Sequence, residues 1–242
     1  MSDDALFRLW VYLSGTPLLG LTVTLVAYTL AYAFYTRARL HPLANPVLLA
    51  VLAIVLVLKL THTSYTTYFD GAQFVHFLLG PAVVSLAVPL ARERRNLRKL
   101  ALPVFGALTV GALVAVLSAV GCAWLLGASP ATLSALATKS VTAPIAMGIA
   151  EQIGAIPALA AVFAVLTGII GASLGKYVLD GVRVRDWRAR GFALGVAAHG
   201  IGTARAFQIN PAAGTYAGLA LALHGVLAAV LIPLLWAIAK RA

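Results

Sequence analysis

Lys139-Ser140-Val141-Thr142-Ala143-Pro144-Ile145-Ala146-Met147-Gly148 lies inside an apolar tract, with Glu151 and Gln152 just beyond it. A cation, two hydroxyls and a proline are placed where the flanking residues suit lipid. Proline removes a backbone donor and frees a carbonyl. Such a break is tolerated at membrane depth only where protein or a water-filled cavity receives it. The whole composition argues for the bilayer. Apolar residues make up 62% of 242 positions and charged residues 10%, and the mean hydropathy is +0.96. A soluble domain carries about 25% charged residues and could not bury this much apolar surface in one core.

Working outward, stretches able to cross the hydrocarbon fall near 16–35, 44–61, 72–91, 101–126, 156–180, 191–208 and 213–238, since a spanning helix needs about 20 apolar residues. The net charge of +11 is gathered in short clusters between these stretches. They are Arg37 with Arg39, Arg92 to Lys99, Arg183 to Arg190, and Lys240 with Arg241. That pattern marks cytoplasmic loops of a membrane protein, not a nucleic-acid surface. With every cluster inside, the fourth span ends outside near Gly127, and the span at 156–180 must also start outside. The tract 130–155 therefore leaves and returns on one side, as a re-entrant hairpin or as two short spans. The segment 61–71 is polar and aromatic without Lys or Arg and suits an external loop. Cys122 stands alone, so an intramolecular disulfide or Cys-based metal site is excluded. The acidic start Met1-Ser2-Asp3-Asp4 does not resemble a cleaved signal peptide.

Ionisable residues at membrane depth mark sites by default, because lipid does not solvate them. Lys139 is one; the bland alternatives are a static bridge to Glu151 or snorkelling to the surface. A second place is Ala198-His199-Gly200-Ile201-Gly202-Thr203-Ala204-Arg205. Its glycines permit local unwinding, Arg205 offers a planar fork for a carboxylate, and His199 can carry a proton. The alternative there is an interhelical polar clamp. A third is His76 with Gly80-Pro81, where a structural kink suffices. No phosphate-cradling Gly-Lys-Ser/Thr loop is present, and no His-Glu-x-x-His or paired-Asp protease motif. The expectation is a chain that is not an enzyme, with no cofactor and no metal.

The run 139–146, the segment Leu166-Thr167-Gly168-Ile169-Ile170-Gly171-Ala172, the run 198–205, Asn45-Pro46 and the stretch 78–90 together resemble the LrgB/CidB family, in order, from about 16 to 238. The chain departs from the family at Gln208 and at Gly214-Thr215-Tyr216-Ala217, so no family role is carried onto 208–217. The resemblance implies one of two functions. Members are holin/antiholin-like modulators of murein hydrolase activity and autolysis, paired with a small LrgA/CidA-type membrane protein. Relatives transport small monocarboxylates, pyruvate in bacteria and glycolate/glycerate in plastids.

A pore needs oligomerising helices but not a broken hairpin bearing a lysine, whereas an anion carrier needs half-helix ends and cations near the midplane. The expected protein is therefore an all-α polytopic helical bundle, one membrane domain over 1–242. It has about seven or eight spans, a re-entrant or broken hairpin near 130–155 and a discontinuous helix near 191–208. It is expected to carry glycolate-, lactate- or pyruvate-like anions; the alternative is the holin/antiholin-like pore or regulator. Lys139 and Arg205 bind the carboxylate, Ser140, Thr142 and Thr203 hydrogen-bond it at the Pro144 break, and His199 donates a hydrogen bond or carries a proton. Asn45, Gly80 and Pro81 line the other wall. The expected setting is the bacterial inner membrane with the C-terminus cytoplasmic, in a homo-oligomer with an LrgA-type partner and no nucleic acid.

Overall fold

The computed structural model describes residues 17–78, 81, 91 and 101–239, which form helices joined by short turns, with no strand among them. The chain divides into two compact units, Met1–Ser85 and Leu86–Ala242.

The first unit contains α1 (Pro17–Arg37), a 3-10 turn (Pro42–Ala44), α2 (Pro46–Leu60) and α3 (Tyr65–Phe77). Gly20 lets α1 meet α3 closely: a Cβ there would collide with the Tyr68 carbonyl and lie 3.1 Å from Ala72 N. Thr24 Oγ1 and Tyr68 OH share a hydrogen bond of 2.8 Å across the same contact. The polar segment expected as a loop over 61–71 is helical from Tyr65. Ser64 caps that helix by accepting from Thr67 N at 3.1 Å, and Tyr65 stacks on Phe69 one turn later at 5.7 Å. Local capping outweighs the low apolar content. The start of the expected third span is thus earlier than 72, and most of its remainder lies outside the described residues. With 15 residues, α2 is about 22 Å long, short for an unassisted crossing.

The second unit contains α4 (Ala101–Leu125), α5 (Pro130–Leu136), α6 (Ala143–Ile153), α7 (Pro157–Gly181), α8 (Trp187–Ile209) and α9 (Pro211–Ala239). Four described helices are long and apolar enough to span: Leu18–Arg37, Ala101–Leu125, Pro157–Gly181 and Pro211–Ala239. Their outer faces show large apolar side chains to the surroundings, Leu102, Val110, Trp124 and Val226 among them, which suits lipid.

The tract 130–155 is a broken hairpin. With 7 and 11 residues, α5 and α6 measure about 10 and 16 Å, and neither crosses about 30 Å of hydrocarbon alone. Ser129 caps α5 by accepting from Thr132 N. Gly154 ends α6 at φ 74°, the left-handed conformation that glycine adopts without penalty. The hairpin is buried in protein: Ala135, Val141, Ala146, Ile149 and Ile153 pack with Val116 of α4, Ala160 and Ala164 of α7, and Ala228 and Ile232 of α9. That packing is what non-helical backbone at this depth requires.

Helix α8 is also discontinuous, as the sequence predicts. His199 adopts φ 39°, ψ −129° inside it. Its neighbours approach through small residues. A Cβ at Gly171 would sit 2.6 Å from Ala198 Cβ, and one at Gly195 would meet the Ala217 carbonyl and lie 2.8 Å from Ala220 Cβ. Helices α7, α8 and α9 therefore touch almost backbone to backbone, the packing expected where lipid supplies no hydrophobic drive between helices.

Candidate functional site: two broken helices around Lys139

Lys139 sits in the non-helical connection between α5 and α6. Val141, two residues on, shares a buried cluster with Val116, so this break lies level with the middle of α4. The Lys139 Nζ donates to Ser140 Oγ at 3.1 Å. Among the described residues, Lys139 and Glu151 form no ion pair; Glu151 is exposed, whereas Arg188 pairs with Asp186 and Arg190 with Asp180. Ser140 is buried at 4% exposure. Thr142 is the N-cap of α6 but makes no side-chain cap bond. Its methyl lies 4.0 Å from where a Cβ on Gly200 would stand, so the break in the hairpin faces the break in α8. Pro144, in the first turn of α6, is exposed.

His199 is held from three sides. Its ring Nε2 pairs with the Ala164 carbonyl at 2.7 Å. A carbonyl only accepts, so Nε2 carries the proton. A neutral ring then leaves Nδ1 as an acceptor, and only the imidazolium could donate to an anion from that side. Gly168 makes room for the ring: a Cβ there would lie 2.8 Å from His199 Cε1 and 2.9 Å from Nε2. Thr203 Oγ1 donates to the His199 carbonyl at 2.8 Å, so its hydroxyl proton serves the break and not a ligand. A non-glycine residue at this φ/ψ persists only where its surroundings over-determine it, and these three contacts do so.

The sequence reading missed His224. It lies on α9 at 2% exposure, and its Nδ1 has no hydrogen-bond partner. Next to it, a Cβ on Gly225 would meet Ile145 Cδ1 at 3.0 Å, which puts His224 beside the first turn of α6. The signal was available: an ionisable residue inside the apolar span 213–238 meets the same test that singled out Lys139.

A cavity of about 710 Å³ opens beside Lys139 and Ser140. Its walls are Pro103 to Ala115 of α4 and Ala189 to Ala197 of α8, with Tyr216 of α9; Asp186 and Arg188 stand at the end of α8 where that helix begins. Asp186 caps α8, accepting from Arg188 N at 2.7 Å and Ala189 N at 3.3 Å, and Arg188 grips its carboxylate through two side-chain nitrogens. These hydrogen bonds hold the exposed Asp186 carboxyl down at about 2.

The remaining sequence-predicted residues stand apart. Arg205 lies six residues beyond His199, about 9 Å along the helix, and does not line the cavity. Asn45 belongs to the first unit, where its Oδ1 accepts from Val47 N and Leu48 N and so caps α2. Pro81 is helical and exposed, and Gly80 lies outside the described residues. No group of three or more His, Cys, Asp or Glu able to hold a metal occurs among the described residues.

The sequence is matched by a family model, that of the LrgB-like family, over residues 24–238. The chain belongs to the LrgB-like family. The uncharacterized protein YxaC of Bacillus subtilis (strain 168) is 34% identical over 88% of this LrgB-like chain and 92% of its own length. YwbG of the same strain is 32% identical over 90% and 96%. A Bacillus cereus (strain B4264) protein named antiholin-like protein LrgB is 28% identical over 90% and 95%. No solved structure matches the LrgB-like chain.

Proposed function

We propose that this chain acts in the membrane as the LrgB-type member of an antiholin-like pair, working with a small LrgA-type membrane protein to modulate murein hydrolase activity and autolysis. The observation that carries this reading is the alignment with relatives named antiholin-like protein LrgB over 90% of the chain. In this reading the chain forms one membrane domain of the bacterial cytoplasmic membrane, with its C-terminus inside, and it is not an enzyme.

A second reading concerns the physical event beneath that role, and the site geometry favours it. The chain is a carrier of small monocarboxylates of the glycolate, lactate or pyruvate kind, held by Lys139 with Ser140. Two interrupted helices facing each other about a half-buried cation suit alternating access to an anion. A regulator acting only through a partner has no need of that arrangement.

One experiment separates the two. The chain is reconstituted with and without an LrgA-type partner, and uptake of labelled glycolate, lactate and pyruvate is measured. Saturable uptake that Lys139→Ala abolishes supports the carrier. Partner-dependent control of leakage to unrelated solutes, with no saturable uptake, sinks the carrier and leaves the antiholin-like reading.

A further inference from the structure

We propose that the cavity between α4 and α8 binds a monocarboxylate with an apolar tail of several carbons, its carboxylate on Lys139 and Ser140 and its tail along Gly111, Val114, Phe192 and Val196. The inference rests on the carrier reading and deepens it. The cavity has polar groups at its two ends and apolar walls between them.

At the inner end, the Lys139 ammonium has three donors, one of them used on Ser140 Oγ. The Ser140 hydroxyl accepts that bond and keeps its own proton for an anion. At the other end, Asp186 and Arg188 neutralise each other at 2.9 Å, so the uncompensated charge is at Lys139. A molecule matched to this lining is anionic at one end and apolar along its body.

Size points the same way. Cavities of about 300–1,000 Å³ suit drug-sized ligands, and 710 Å³ falls in that range. A two- or three-carbon acid, equal to a few waters of about 30 Å³ each, would leave most of the space unfilled.

The full chain, purified in detergent, is titrated with acetate, butanoate, hexanoate and octanoate. The concentration giving half-maximal thermal stabilisation is read for each. It falls about fourfold for every added methylene up to the length of the cavity, and Lys139→Ala abolishes the stabilisation. Gly111→Leu and Ala193→Leu, two separate ways of filling the cavity, flatten the series while acetate is unaffected. A Cβ at Gly111 already approaches Val196 Cγ1 at 3.3 Å, so the second variant guards against misfolding of the first.

A series flat in chain length overturns the inference, as does one unchanged in both filled variants. Hexanol stabilising as well as hexanoate also overturns it, because the cavity is then a slot for a lipid tail. In each of these cases short acids that still stabilise leave the carrier reading standing. If no acid, glycolate and pyruvate included, stabilises the chain or crosses with it, the carrier reading falls and takes the inference with it.

Discussion

At the scale of single residues, the site depends on how a few polar atoms are satisfied inside a greasy bundle. Replacing Gly168 by Ala drives a methyl group into the pinned His199 ring and should lower stability by about 1–3 kcal/mol, read as a fall in melting temperature. The same variant should impair function as severely as His199→Ala if ring position is what matters. His224→Leu removes a buried nitrogen without a partner, and such atoms cost about 1–3 kcal/mol. The expected outcome is therefore a higher melting temperature; a variant that melts lower assigns His224 to packing. Lys139 and His199 were legible from the sequence because each interrupts an apolar run with a charge or a ring nitrogen. His224 obeyed the same rule but lacked a neighbouring proline or glycine pair to mark a break. The committed state of the Thr203 hydroxyl was not legible, because a side chain's partner depends on which carbonyl a kink releases.

At the scale of helices, the two interruptions were readable and the boundaries less so. Pro144 after Lys139-Ser140-Val141-Thr142 marks the first break. The alternation of Gly200 and Gly202 just after His199 marks the second, although the bend falls on the histidine and not on a glycine. The early start of α3 at Tyr65 was hidden because Ser64, Thr66 and Thr67 read as loop until their bonds at the helix start are seen. The α8–α9 contact is set by Gly191 and Gly195 against the backbone of α9. Gly195→Val must push the two helices apart, and the expected result is loss of the folded, monodisperse protein in size-exclusion chromatography. The α8 N-terminus gives a pH prediction. The Asp186 carboxyl is held below its ordinary value, chiefly by side-chain hydrogen bonds from Arg188. The cap's contribution is therefore complete above about pH 4 and disappears as pH falls through about 2. Asp186→Asn keeps an acceptor for the helix but should remove that part of the acid sensitivity, seen by comparing melting curves across the interval.

At the scale of the molecule, composition and loop charge made the membrane bundle legible, because both report on solvent and not on packing. The division into Met1–Ser85 and Leu86–Ala242 was not, since continuous hydropathy carries no mark of which helices touch. Crowding the helices with glycine and alanine left space where larger side chains would have filled it, and the cavity beside Lys139 is the result. The depth of that lysine has an electrical consequence. A protonated Lys139 level with the middle of α4 lies within the membrane field, where a full charge moved across 100 mV exchanges about 2.3 kcal/mol. A bound carboxylate cancels it, so the occupied site is nearly neutral and the vacant one is cationic. Voltage should then act on the return of the empty carrier and leave the loaded step almost untouched. In vesicles clamped by a potassium gradient, that predicts net uptake that varies with voltage beside an exchange rate that does not.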